Sequence, residues 1–254
     1  MAARGKHAIA NSILANLSKE VYQRLEPHLR TNSFLLGKTL YSPFEPIEEI
    51  HFPTTALLSW VSLLESGTVT EIALVGNTGV AGLPALWDGK FTPNSLIVQM
   101  SGNVVSIDAA IAKKEFKKGG EFNSLLSCYS QALFTQMAQN VACNRHHTTE
   151  ARLARWLLSV QDAVQQAEQA IGQGQAVGQG YIPPKELALT QDFMAKMLGV
   201  RRSSISISAG VLQQAGIIRY SRGRLAILDR CRLEETACEC YSIIKAEYDR
   251  LLQP

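Results

Sequence analysis

The 254-residue chain contains no run of 18 apolar residues, which excludes a membrane-spanning helix of the usual kind. Met1 to Lys19 places Arg4, Lys6, His7 and Lys19 among small side chains and lacks the apolar block of a secretory signal, so a cytoplasmic location is expected. Cysteine is scarce and odd in number: Cys128, Cys143, Cys231, Cys238 and Cys240. A disulfide framework is not expected, and reduced thiols are. The motifs GxSxG, HExxH and GxxxxGK[ST] are all missing, and the acidic residues of the first half, such as Glu71 and Asp108, have no evident partner in the sequence. Nothing therefore points to an enzyme.

What is present is an ordinary globular composition, 46% hydrophobic and 19% charged, enough to bury one large or two modest cores. The net charge of +3 conceals a local excess: Lys185 to Arg232 holds nine basic residues against Glu186, Asp192 and Asp229. Such a concentration suits a polyanionic partner, because neutralising phosphates releases counterions. A solubilising face would read the same way from composition alone.

From Thr31 to Asp108 short apolar runs alternate with turn formers. Leu57 to Leu64 and Val69 to Val75 flank Glu65-Ser66-Gly67-Thr68 as a hairpin, and Leu96 to Met100 and Val104 to Ile107 flank Ser101-Gly102-Asn103 as another pair. Gly76-Asn77-Thr78-Gly79 is a further turn, and the spacing predicts a sandwich or jelly roll. After Ala109 the period becomes helical. Phe122, Leu125, Leu126, Tyr129, Leu133, Met137 and Val141 define one long amphipathic helix ending near Asn144 to His147. Leu126, Tyr129, Leu133 and Met137 are the expected dimer seam, with packing on the helix's own β-domain as the alternative. A second helix follows from Thr148 or Thr149 as cap through Leu153, Trp156, Leu157, Val160 and Val164. Ala170 to Gly180 reads as a flexible connector whose GxG spacing follows no strand, and Pro183-Pro184 restarts order.

Residues 185–228 carry the most specific pattern. Thr190 caps a short helix with Asp192 in its first turn, Gly199 supplies a left-handed stop, and a new helix runs from Arg201 or Arg202 to about Ala215. Ile205, Val211 and Leu212 should face a core, leaving Arg201, Arg202, Ser203, Ser204 and Ser206 at an exposed N-terminal end. Arginine can hold guanine O6 and N7 bidentately, and short hydroxyl side chains permit close approach to a groove. Gly216 to Tyr220 and Leu225 to Leu228 flank Ser221-Arg222-Gly223-Arg224, a cationic hairpin tip suited to phosphate. Thr190, Gln191, Arg222 and Arg224 complete the candidate contact set. The competing reading is a ligand-binding module that acts through protein contacts without reading DNA.

Leu189 to Leu228 (LTQDFMAKMLGVRRSSISISAGVLQQAGIIRYSRGRLAIL) resembles the DNA-binding region of the Crp/Fnr superfamily. Gly37 to Pro53 and Gly76 to Trp87 resemble its β-roll. The resemblance implies an α+β fold: a cyclic-nucleotide-binding-like β-roll or jelly roll over 1–120, a dimerisation helix over 121–147 and a winged helix-turn-helix with a C-terminal helix over 148–254. It implies a homodimer on a two-fold-related DNA site, with RNA polymerase as a further partner and a small-molecule effector these residues do not specify. Matched positions put Arg202 and Ser203 at the main base-reading sites, with Ser206 and Ile207 one turn on; serine at the second site, where many members have glutamate, implies a different half-site. The implied effector pocket, at Gly82, Leu83, Asn94 and Ser95, lacks the glutamate and arginine that hold cyclic AMP, so tight binding of that nucleotide is not expected. With no cysteine before Cys128, an N-terminal iron–sulfur cluster is not expected, nor is haem on His28, His51, His146 or His147. No cofactor or metal is expected: Cys238 and Cys240 have no second ligand pair nearby in the sequence and read as packing residues. The C-terminal stretch from Arg232 has Leu233, Ala237, Tyr241, Ile244, Tyr248 and Leu251 at helical spacing and is expected to pack on the winged helix.

Overall fold

Two antiparallel sheets form the N-terminal half of the computed structural model, which describes residues 9–172 and 186–252. Helices α1 (Ser12–Ala15) and α2 (Lys19–Leu25) begin with capped turns at Asn11 and Ser18. The strands are β1 (Arg30–Phe34), β2 (Thr39–Tyr41), β3 (Glu49–Pro53), β4 (Leu57–Leu63), β5 (Val69–Val75), β6 (Ser95–Met100) and β7 (Gly102–Asp108). One sheet runs β2-β6-β4-β5 and the other β1-β7-β3, giving the expected β-roll. The β4–β5 hairpin closes as its sequence predicts: the Leu64 N–H donates to Thr68 O, and Gly67 takes φ 78°.

The second expected pair behaves differently. Strands β6 and β7 are consecutive but lie in separate sheets, so Ser101-Gly102 is a corner and not a hairpin turn. Packing sets this corner: a Cβ at Gly102 would lie 2.4 Å from the Ala56 nitrogen, so only glycine lets the two backbones approach.

Helix α3 (Ala109–Lys117), capped by Asp108, leads into the 27-residue α4 (Gly120–His146). The inner face of α4, with Phe122, Leu126, Tyr129 and Leu133, closes the roll over Ile50, Phe52, Leu58, Leu96 and Val104. Helix α5 (Thr149–Gly172) starts at once, the Thr148 hydroxyl accepting from the Ala151 N–H at 3.3 Å. Beyond Gly172 the Gly/Gln-rich connector and Pro183-Pro184 lie outside the described residues.

The chain continues with β8 (Leu187–Ala188), α6 (Gln191–Leu198), α7 (Arg202–Gln214), β9 (Ile218–Ser221), β10 (Arg224–Ile227), α8 (Arg230–Thr236) and α9 (Cys240–Leu252). Trp156, Leu157 and Val160 of α5 form a second core with Met194, Leu198, Ile205, Leu212, Ile218, Leu225 and Leu233. Leu57 and Val61 of β4 join that core, so the C-terminal unit rests on the outer face of the larger sheet.

Helix α9 departs from expectation. Leu233, Ala237 and Tyr241 pack in or against the winged-helix core as expected, but the body of α9 lies mainly along α4. Tyr248 meets Tyr129 edge-on with centroids 6.2 Å apart, and the Gln136 amide donates to the Tyr248 oxygen at 3.3 Å. At its other end the Tyr241 hydroxyl donates to Asp162 of α5 at 2.7 Å, and Arg230 pairs with the same carboxylate at 2.7 Å. No helix among the described residues is long and apolar enough to cross a membrane.

Candidate nucleic-acid interface

Local signals build the helix-turn-helix. The Thr190 hydroxyl accepts from the Phe193 N–H at 3.1 Å and opens α6, whose first turn carries Asp192. Gly199 ends it at φ 60°, and the Val200 N–H returns to Ala195 O at 3.0 Å, the six-to-one bond of a Schellman stop. Arg201 is extended, and α7 begins at Arg202. Ile205, Ser208, Ala209 and Leu212 form the buried face of α7. Val211, expected toward the core, is instead 41% exposed, because Ser208 and Leu212 occupy the inner side of those turns.

Arg201, Arg202, Ser203, Ser206 and Ile207 face outward, Ser204 and Gln191 are half-buried, and Thr190 is exposed beside them. Ile207 is 70% exposed among serines and arginines; an isoleucine there loses nothing by meeting a thymine methyl and has no partner in its own fold. The wing follows: β10 pairs with β9 on one side and β8 on the other. Its tip turns through Arg222 at φ 48° and Gly223 at φ 77°, the positive angles of a type I′ hairpin. Arg219 is neutralised by Glu186 at 3.1 Å and Lys196 by Asp192 at 3.0 Å. Among the described residues Arg201, Arg202, Arg222 and Arg224 have no carboxylate in ion-pair range. Uncompensated positive charge thus gathers at the start of α7 and the wing tip, and among the described residues of this unit Arg232 of α8, bonded to the Ala215 carbonyl at 2.7 Å, is also outside ion-pair range.

The long helix turns the apolar stripe expected as a dimer seam inward, onto its own β-roll, the alternative its periodicity left open. Leu126, Tyr129 and Leu133 are buried in the chain's own core and are not available to an outer seam, while the half-buried Met137 packs against that core. The roll takes the most apolar stripe because α4 is its lid. The exposed stripe carries Phe134, Ala138 and Val141, spaced four and three residues apart, with Phe134 70% and Val141 72% exposed.

Inside the roll, Gly82 has φ 98° and a Cβ there would lie 2.9 Å from Glu49 O; Leu83 is core. Ser95 is buried on β6, and the Asn94 amide donates to the Thr92 hydroxyl at 3.3 Å. The space around Gly82 and Leu83 is about 10 Å³, walled by Tyr41, Trp60, Val75, Leu96 and Leu133 without a charged residue. A larger cavity of about 350 Å³ lies elsewhere, beneath α9, between Tyr129, Gln136, Asp162, Tyr241 and Tyr248.

On the outer face of the roll, Glu71 is buried against α5. It accepts from Ser59 of β4 at 2.7 Å and from the Trp156 indole at 3.0 Å. Burial pushes its carboxyl up to about 7, the two hydrogen bonds and the charge of Arg155 offsetting only part of that cost. His51 on β3 is also buried; it shares a hydrogen bond with Ser106 at 2.9 Å, and desolvation lowers it to about 4, which makes it a neutral structural residue.

A cluster that the sequence reading missed lies where α4 ends. Cys143 and His147 come from that end, Cys238 from the turn before α9 and Cys240 from its first residue, with their ligand atoms all within 4.8 Å of one another. All five cysteines are free, and Cys128 and Cys231 lie outside the group. Two half-signals were present: a Cys and a His one helical turn apart, and a Cys-x-Cys pair. Ninety-five residues separate Cys143 from Cys238, so no local spacing joins them.

A helix-turn-helix with a cationic wing, carried on a β-roll by a long helix, defines a DNA-binding regulator fold. Residues 151–236 match the Crp-like helix-turn-helix domain, and the chain as a whole has the Crp/Fnr fold. A transcriptional regulator of the Crp/Fnr family from Eubacterium rectale superposes with a TM-score of 0.64 at 18% identity, covering 87% of this chain and 94% of that one. FixK2 from Bradyrhizobium japonicum gives 0.64 at 16% identity over 83% and 98% of the two chains. A CRP-family transcriptional regulator from Thermus thermophilus gives 0.63 at 18% over 81% and 96%. None of the curated proteins compared with the chain matches it.

Proposed function

We propose that this chain is a homodimeric, sequence-specific transcription regulator that reads DNA with α7 and whose roll does not accept cyclic AMP. The observation that carries the reading is the charge pattern. Four arginines without ion-pair partners among the described residues occupy the start of α7 and the wing tip, the places from which a winged helix reaches base edges and phosphates. Two copies joined along Phe134, Ala138 and Val141 would address half-sites about one helical turn apart. Bound near a promoter, such a dimer would lie within reach of RNA polymerase, the remaining expected partner. The aliphatic and aromatic lining around Leu83 supports the second clause, since a phosphate buried there would have no cation to pair with.

Binding of the full chain to duplex DNA, measured for two variants, tests the docking. Arg202→Ala should cost about 1–3 kcal/mol and relax preference at one base position. Arg222→Ala should weaken all sequences alike and reduce the salt slope by about 1. Wild-type affinity and preference in both variants would refute the reading. Sedimentation of Val141→Glu should show monomers with sharply weaker DNA binding; an unchanged dimer would refute the seam.

A further inference from the structure

The cluster at the end of α4 has the geometry of a closed metal site. The Cys143 and Cys238 sulfurs are 3.5 Å apart, and the Cys240 sulfur lies 3.6 Å from His147 Nδ1. A zinc tetrahedron with bonds of about 2.3 Å to sulfur and 2.0–2.1 Å to nitrogen has edges of roughly 3.4–3.8 Å. These edges therefore need little adjustment to surround an ion, whereas a disulfide would need the sulfurs at about 2.05 Å.

Three surrounding features point the same way. His147 Nε2 sits 3.2 Å from Glu239 Oε1, which fixes the ring and leaves Nδ1 facing the thiols; the carboxylate–histidine–metal arrangement uses this second contact. Arg152 and Arg155 are both about 94% buried, and among the described residues each has its Nε unpartnered and neither has a carboxylate in ion-pair range. The Arg155 guanidinium lies close enough to the Cys143 sulfur for its charge to act on the thiol. Three thiolates around a divalent ion carry one net negative charge, which gives Arg152 an anion and adds to the influence of Glu71 on Arg155. Finally, Cys143, Cys238 and Cys240 are buried, which suits a four-coordinate structural site with no open position for chemistry.

We propose that Cys143, His147, Cys238 and Cys240 bind one zinc ion per chain, tying the start of α9 to the end of α4. The same shell reaches the helix-turn-helix, because Arg152 donates to Asn144 at 2.7 Å and to Leu198 O at the end of α6. Occupancy is thus placed where it can hold α5 and α6 in position as well as α9.

The test uses the full chain, purified with reductant and without chelator. Elemental analysis should find one zinc per chain. Cobalt added to the metal-free protein should give thiolate charge-transfer absorption and the visible bands of a tetrahedral site, and zinc should displace it. Cys143→Ser and Cys240→Ser should lose those bands, while Cys128→Ser and Cys231→Ser keep them. A wild-type chain that holds no zinc and gives no tetrahedral cobalt spectrum would overturn the proposal without recourse to any variant. So would a Cys143–Cys238 disulfide in the reduced preparation, iron with sulfide in place of zinc, or loss of the bands in the two control variants.

Discussion

The interior of the β-roll and the junction at the end of α4 are two places where a signal could enter this molecule, and their chemistry is opposite. Around Gly82 and Leu83 the roll has about 10 Å³ of space, no more than one water needs, bounded by aliphatic and aromatic side chains. At the junction, three sulfurs and an imidazole converge within 4.8 Å beside two buried arginines. A fold can keep the shell of a ligand-binding domain while its packing converts the old pocket to core. Binding chemistry then has to be sought where elements distant in sequence meet.

The sharpest way to break this contrast is to remove the metal. If zinc holds the junction, the metal-saturated chain should exceed the metal-free chain in unfolding free energy by about 4 kcal/mol at a thousandfold excess over the dissociation constant. Denaturant unfolding with and without chelator measures this, and coincident curves would erase the contrast.

Next in size is Glu71, which sits between the two regions, facing Ser59 of β4 and Trp156 and Arg155 of α5. Its carboxyl is held at about 7 in the folded chain against 4.5 when free, so between those values the folded state binds more protons than the unfolded one. Its contribution is therefore most favourable below about pH 4.5 and is lost as the pH rises through about 7. At about 1.4 kcal/mol per pH unit of difference the loss reaches about 3 kcal/mol. Glu71→Gln should remove this slope and raise stability above pH 7; an unchanged profile of melting temperature against pH would show that Glu71 does not titrate there. The smallest effect concerns the roll itself: calorimetric titration with cyclic AMP should give no heat of binding, and micromolar affinity would show that the interior opens.

Legibility followed chain distance. The Thr190 cap, the Gly199 stop and the Arg222-Gly223 tip were readable because each lies within a few residues of what it controls. The Ser101-Gly102 corner was not, because a hairpin and a change of sheet use the same turn residues, and only the approach of Gly102 to Ala56 decides between them. The periodicity of α4 and α9 identified apolar faces but not what covers them. Thus Leu126, Tyr129 and Leu133 turned out to belong to the roll, and α9 to lie along α4. The thiol–imidazole cluster was least accessible, since each half of it is unremarkable alone.

The central claim, that two copies of α7 read DNA, is tested most directly by selecting duplexes from a random pool with the ligand-free full chain at about 0.15 M salt, where non-specific attraction is screened. The account predicts recovery of a two-fold-symmetric sequence with half-site centres about one helical turn apart. Recovery of no enriched sequence, with the metal-loaded and metal-free chain alike, would contradict it.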